Sequence, residues 1–311
     1  MNDTFVTLEE QGLRDGLQTL PVTIPVEKKL AWIQMLVAAG IKRLQVASFV
    51  HPKRVPQMAD AETVVAGLPP NAGVVFSGLA LNTKGVERAA TVGLKHLAIS
   101  LSASDTHSRK NAHKSLEEAK KEFTEMVRLA VQEGITVRGG IQCAFGCRYE
   151  GKIEEAVVYD LVHHLVNAGV QEIALADSTG MGNPLQVQRV MTEVLNRCGN
   201  VPVALHLHNT ENKGYANLVA AVEVGIRQFD TAFGGLGGCP FITGATGNIA
   251  TEDTVHLLRQ MGYETGVEIP KIAEVSKEME TLLGTKLPGL LYSLLDQNIL
   301  LNQVKRFAMD S

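Results

Sequence analysis

The sequence predicts a (β/α)8 TIM barrel with extra C-terminal helices, and three observations carry that expectation. Eight short β-rich runs each precede a longer helical pattern, the alternation expected of βαβ units around a parallel sheet. Between positions 5 and 261 the unit recurs roughly every 32 residues, which suits eight barrel units better than a doubly wound sheet of five to seven strands. Gly40, Gly93, Gly134 and Gly169 each close a helical pattern shortly before a strand, where a left-handed C-terminal turn is needed.

In chain order, Phe5–Glu9 opens the barrel and Val26–Ala39 is its first helix. Arg43–Phe49 then leads to Ala59–Ala66, Val74–Leu81 to Thr83–Val92, and His96–Leu101 to Ser115–Glu133. Thr136–Ala144 precedes Ile153–Ala168, and Glu172–Asp177 precedes Pro184–Arg197. Val201–His206 with Tyr215–Val224, and Gln228–Ala232 with Thr251–Met261, complete eight units. Pro270–Leu283 and Pro288–Phe307 read as additional helices that either cover the barrel or build a homodimer contact. The expected division is a catalytic barrel over 1–265 and a helical extension over 266–311.

Composition narrows the partners. With 45% hydrophobic and 20% charged residues the chain has a core to bury, and disordered or coiled-coil readings are excluded. A net charge of -4 offers no attraction to nucleic acid or an anionic membrane, so an anionic ligand must be caught locally. Four cysteines and no apolar run of membrane-spanning length lead us to expect a reducing, cytoplasmic setting.

Barrel chemistry sits at the C-terminal ends of the strands, and the polar residues collect there. The first strand runs into Glu10-Gln11-Gly12-Leu13-Arg14-Asp15-Gly16, a loop that in isolation would pass for a surface turn. The seventh ends in His206-Leu207-His208, and alternation places both imidazoles on one face, toward the mouth. Two neutral imidazoles hold a metal weakly, so a carboxylate such as Asp15 should join them. After the eighth strand, Cys239 lies among Gly234, Gly235, Gly237 and Gly238, which suits an exposed reactive thiol better than a core cysteine. Asp177 ends the sixth strand, either facing the mouth or capping the next helix. Cys143 and Cys147 have metal-ligand spacing but no second pair.

Taken in order, these motifs resemble the 3-hydroxy-3-methylglutaryl-CoA lyase family of metal-dependent lyase and Claisen-type barrels. The anchors are Arg14-Asp15-Gly16-Leu17-Gln18, Ser48-Phe49-Val50-His51-Pro52-Lys53, Cys143 through Ile153, Asp177-Ser178-Thr179-Gly180, His206-x-His208, and Gly235-Leu236-Gly237-Gly238-Cys239-Pro240 through Asp253. The resemblance implies a Mg2+ or Mn2+ ion held by Asp15, His206, His208 and Asn248. It implies Arg14, Cys239, Asp177 and Glu10 as the catalytic set, and an acyl-CoA as substrate. The implied reaction is a retro-Claisen cleavage to acetyl-CoA and a 3-keto acid, with Arg14 on the thioester oxygen and Cys239 protonating the enolate. Either Asp177 or Asp15 takes the hydroxyl proton, with Glu10 in support.

The chain departs from the family pattern at two acids, carrying Gln45 and Asn209 in their places, with Lys213 nearby. These three are the expected substrate-tuning positions. The standard substrate and a related 3-hydroxy-3-substituted acyl-CoA both fit. A condensing synthase and a non-catalytic CoA-binding protein are the readings from other classes. Lys53, Arg54, Arg109 and Lys110 are candidates for the CoA phosphates.

Overall fold

The computed structural model describes residues 4–70, 73–237 and 247–295. Eight parallel strands close a barrel in sequence order: β1 (Thr7–Glu10), β2 (Arg43–Ser48), β3 (Val75–Ala80), β4 (His96–Ser102), β5 (Thr136–Gln142), β6 (Glu172–Asp177), β7 (Val203–Leu207) and β8 (Gln228–Thr231). The helices α1 (Val26–Ala38), α2 (Ala61–Ala66), α3 (Thr83–Thr91), α4 (Asp105–Ala112), α5 (Leu116–Gln132), α6 (Glu155–Ala168), α7 (Pro184–Arg197), α8 (Gly214–Glu223) and α9 (Thr251–Gln260) accompany them. Large apolar side chains such as Trp32, Phe123 and Phe229 fill the core beside the strands and are fully buried.

Every expected strand is present, with ends displaced by at most two residues. Gly40, Gly93, Gly134 and Gly169 all have positive φ, between 68° and 96°, the left-handed conformation that ends a helix without the Cβ penalty.

One helix was not expected. The α4 segment, Asp105-Thr-His-Ser-Arg-Lys-Asn-Ala, has no apolar stripe, and periodicity is the primary sequence signal for a helix. Hydrogen bonds at its ends form it instead. Ser104 Oγ accepts from His107 N at 3.0 Å, Glu150 accepts from Thr106 N at 2.6 Å, and Asp105 accepts from Leu116 N at 2.8 Å.

Beyond the barrel, α10 (Ile269–Leu283) packs against α1 and α9, and α11 (Leu291–Leu294) follows. Trp32 Nε1 donates to Glu278 at 2.8 Å, and Ser276 Oγ donates to the buried Glu252. The expected helix over Pro288–Phe307 is described only through this short turn, and 296–311 lie outside the described residues. Among the described residues, no helix is long and apolar enough to cross a membrane.

Candidate metal centre and active site

At the C-terminal mouth of the barrel lies a cavity of about 410 Å3. Three of its lining residues, Asp15, His206 and His208, offer donor atoms that all lie within 4.8 Å of one another. Strand alternation delivers the two histidines. In Val203-Ala204-Leu205-His206-Leu207-His208, the large apolar residues face the helices and the imidazoles face the lumen. The two Nε2 atoms stand 3.0 Å apart, and His208 Nε2 is 4.0 Å from Asp15 Oδ2. His208 closes a bridge to Asn248, which brings the returning β8 loop to the same point.

Asp15 sits in a single π-type turn, Gly12–Gly16, that turns the β1 loop back over the mouth. Burial alone would raise its pKa, but the Arg14 guanidinium and the two imidazoles hold the carboxyl well below the usual range. Burial and the neighbouring His206 push His208 down to about 4, so near neutral pH its imidazole is uncharged and free to ligate. Asn248 Nδ2 donates to Asp15 Oδ2 at 2.9 Å and to Leu236 O at 2.9 Å. Its buried Oδ1 has no hydrogen-bond partner, a position that costs free energy unless something else occupies it. A carboxylate, two imidazoles and an amide oxygen form a donor set that fits a divalent cation of the Mg2+ or Mn2+ type.

Arg14 lies beside this cluster, pinned on three sides. Its Nη2 donates to Gln11 Oε1 at 2.9 Å, its Nε to Gln45 Oε1, and its Nη1 to Asp15. Gln45 is thus a cavity wall and a brace for Arg14.

Other expectations require correction. Asp177, expected to face the mouth, points the opposite way. Ala174 and Ala176 line the cavity, so alternation sends Asp177 to the helix side together with Ile173 and Leu175. There it is fully buried, accepting from Gly182 N at 3.0 Å, and burial raises it to about 6. Asn209 and Lys213 do not line the cavity either. Asn209 Oδ1 accepts from Gly214 N at 3.0 Å where α8 begins, and Lys213 Nζ donates to Met181 O at 3.0 Å and pairs with Glu211. Both tie the β7 loop to its neighbours.

Glu10 is likewise a brace and not part of the cavity. Fully buried, it accepts from Gly12 N at 2.7 Å, Phe233 N at 2.9 Å and Thr251 Oγ1 at 2.6 Å, joining the β1 and β8 loops to α9. Burial raises its pKa to about 7. Between about pH 4.5 and 7 the unfolded chain has lost this proton and the folded chain has kept it, so stability falls as pH rises through that window. At about 1.4 kcal/mol per pKa unit, Glu10 contributes a decline of about 3 kcal/mol. Glu10→Gln keeps an acceptor for both backbone N–H groups and is expected to flatten that slope. Urea unfolding at pH 5 and 7.5 checks this, and equal slopes in variant and wild type would refute it.

Cys239 lies outside the described residues. Gly237 and Gly247, which flank the undescribed stretch, sit at the site: Gly237 O accepts from Asn248 N at 3.1 Å and Gly247 O from Asn209 N at 2.8 Å. Gly237 adopts φ +108°, and a Cβ there would stand 2.6 Å from Asn248 Nδ2, so only glycine lets the loop pass this close. Cys147 reaches the cavity wall, where its thiol donates to Ser104 Oγ at 3.1 Å, and Cys143 is buried beside it. Neither belongs to the candidate donor cluster.

A groove of about 550 Å3 continues from the cavity between the β2 loop and α4. Val50, Val55, Leu81 and Phe123 give it apolar walls, with Arg54 and Lys114 at its rim. Of the expected phosphate contacts only Arg54 lines it. Arg109 pairs with Asp105, and Lys110 lies over the Tyr149 ring at 4.1 Å.

Sequence reasoning missed Gln11, His107, Arg138 and Asp230, all of which line the cavity. For Arg138 and Asp230 a signal existed: each is the only charged residue of its strand, and buried charges are rare unless paired.

Fold and site together define a barrel enzyme with a carboxylate and two imidazoles, a candidate cation site, beside a fixed arginine. The HMGL-like family matches residues 6–279, and the chain belongs to it. It is 39% identical to a hydroxymethylglutaryl-CoA lyase of Bacillus subtilis, over 91% of this chain and 95% of that one. It is 40% identical to a (R)-citramalyl-CoA lyase of Chloroflexus aurantiacus, over 92% and 93%. Among solved structures, an HMG-CoA lyase from Acinetobacter baumannii in complex with coenzyme A and 3-methylmalate superposes with a TM-score of 0.90 at 38% identity, covering 94% of this chain and 96% of that one.

Proposed function

We propose that this protein is a divalent-cation-dependent acyl-CoA lyase that cleaves 3-hydroxy-3-methylglutaryl-CoA to acetyl-CoA and acetoacetate. The observation that carries the reading is the convergence of Asp15, His206 and His208 beside Arg14 at the cavity mouth. In the reaction the 3-hydroxyl loses its proton and the C2–C3 bond breaks. Its electron pair passes to C2 as the enolate of acetyl-CoA, and C2 then takes up a proton.

A bound cation supplies Lewis acidity, lowering the pKa of the tertiary hydroxyl and orienting it. Arg14 supplies a preorganised positive charge for the thioester oxygen as the enolate forms, since its fork is held by Gln11, Gln45 and Asp15 before substrate arrives. Of the cavity carboxylates, Asp230 is engaged by Arg138 and His206, and Asp15 is our candidate for the base that takes the hydroxyl proton. So acidic a carboxyl is a weak base, which is why the hydroxyl must itself be made acidic. Cys239 is our candidate for the proton donor to the enolate. The apolar groove suits the pantetheine arm of CoA, with Arg54 at its rim as our candidate for a phosphate contact.

The test is acetyl-CoA release from 3-hydroxy-3-methylglutaryl-CoA by purified protein with Mg2+ or Mn2+, beside an EDTA control and Cys239→Ala. Cation-dependent release, lost in the variant, is expected. Cleavage of citramalyl-CoA with none of 3-hydroxy-3-methylglutaryl-CoA would overturn the substrate, and release unaffected by EDTA would overturn the mechanism.

A further inference from the structure

We infer that Asp230 is a positioning residue that fixes His206 as its Nδ1–H tautomer, and that Arg138 holds Asp230 for this task. The inference rests on the cation-site reading above.

Beneath the cavity the barrel interior carries a chain of charged side chains. In the register of the sheet, Arg43 lies opposite Glu9, Glu9 opposite Asp230, and Asp230 opposite His206, so four neighbouring strands contribute one continuous row. Arg138 reaches into the row from β5, its Nη1 2.9 Å from Glu9 Oε2 and its Nη2 2.7 Å from Asp230 Oδ1. Arg43 joins Glu9 at 2.9 Å to Glu172 at 2.6 Å. Three carboxylates thus face two guanidinium groups, and every member is at least four-fifths buried. Apolar side chains of similar volume often serve a core as well as a buried ion-pair network does, so packing by itself does not call for these charges, and a positional role does.

The upper end of the chain shows that role. Asp230 Oδ2 lies 3.1 Å from His206 Nδ1. With Arg138 on its other oxygen, Asp230 is an acceptor at that contact, so the nitrogen facing it carries the hydrogen. The lone pair of His206 is then on Nε2, the atom that faces His208 Nε2 at 3.0 Å across the cation site. His208 has no such anchor, because its Nδ1 is buried without a partner. The two imidazoles are therefore inequivalent, one set in place by the barrel interior and one by its loop.

Hydrogen-bond partners of this kind change metal affinity when removed. Asp230→Asn is expected to weaken Mn2+ binding by about 10- to 100-fold, read by electron paramagnetic resonance of free Mn2+. Glu172→Gln removes the same charge from the far end of the chain and is expected to bind Mn2+ nearly as wild type does. Equal losses in both variants, or no loss in a folded Asp230→Asn, would overturn the inference. A direct reading on the wild-type protein covers the case in which Asp230→Asn does not fold. In metal-free protein labelled with 15N-histidine, His206 should show a protonated Nδ1 and an unprotonated Nε2, and the reverse assignment would overturn the proposal. Failure of the wild type itself to bind Mn2+ would instead overturn the cation reading beneath it.

Discussion

Replacing His208 with alanine is expected to abolish cation binding and turnover together. The side chain is buried, its Nε2 faces both His206 and Asp15, and its low pKa leaves the imidazole neutral near pH 7. Removing an indirect partner of a metal ligand already costs about 10- to 100-fold in affinity, so loss of the ligand itself should exceed that. Because a Lewis-acid cation supplies several kcal/mol of charge stabilisation, kcat should fall by more than about 1000-fold. The core beside the strand is packed by Leu205 and Leu207, which the substitution leaves untouched, so the variant should fold. Calorimetric titration with Mn2+ and an acetyl-CoA assay measure the two effects. A folded His208→Ala protein that turns over in EDTA would dispose of the cation centre.

Arg14→Gln should separate catalysis from cation binding. The amide can still bond Gln11 or Gln45, but the positive charge is gone from the place where the thioester oxygen becomes anionic. Loss of one preorganised donor of this type costs roughly 100- to 1000-fold in kcat. The effect should fall on kcat more than on KM, because the charge it stabilises is absent in the bound substrate. Mn2+ binding should persist or tighten, since Asp15 is relieved of a competing cation only 2.5 Å away. Steady-state kinetics with Mn2+ titration of the same preparation decides the matter. A kcat within tenfold of wild type would remove Arg14 from the chemistry, and a loss of Mn2+ affinity matching the loss of kcat would make it a scaffold for Asp15.

The outcomes at Asp177 and His206 show how the site was legible and where it was not. In Glu172-Ile-Ala-Leu-Ala-Asp177, the large residues Ile173 and Leu175 share a face with Asp177, and the small Ala174 and Ala176 line the lumen. The rule that placed His206 and His208 inward therefore places Asp177 outward, because one step of parity reverses a side chain's face. Proximity to the catalytic end of a strand said nothing about direction. Glu10, Asn209 and Lys213 differ again. Glu10 is the last residue of β1 and the other two lie in a loop, where no periodicity applies, and each is drawn to a specific N–H, O–H or carbonyl group elsewhere in the fold.

The order of strands and helices, the left-handed glycine turns and the paired histidines follow from the sequence by itself, because each depends on spacing within one segment. The resemblance to the family implied the donor set of Asp15, His206, His208 and Asn248, and the structure brings the first three together. The tertiary structure alone decided that Glu10 ties the β1 and β8 loops together, that α4 forms without an apolar stripe, and that Arg138 reaches from β5 to Asp230 on β8. These outcomes turn on contacts between residues far apart in the chain, 92 positions for Arg138 and Asp230 and 223 for Glu10 and Phe233. Such pairs meet only when the barrel closes, and no local pattern encodes their meeting.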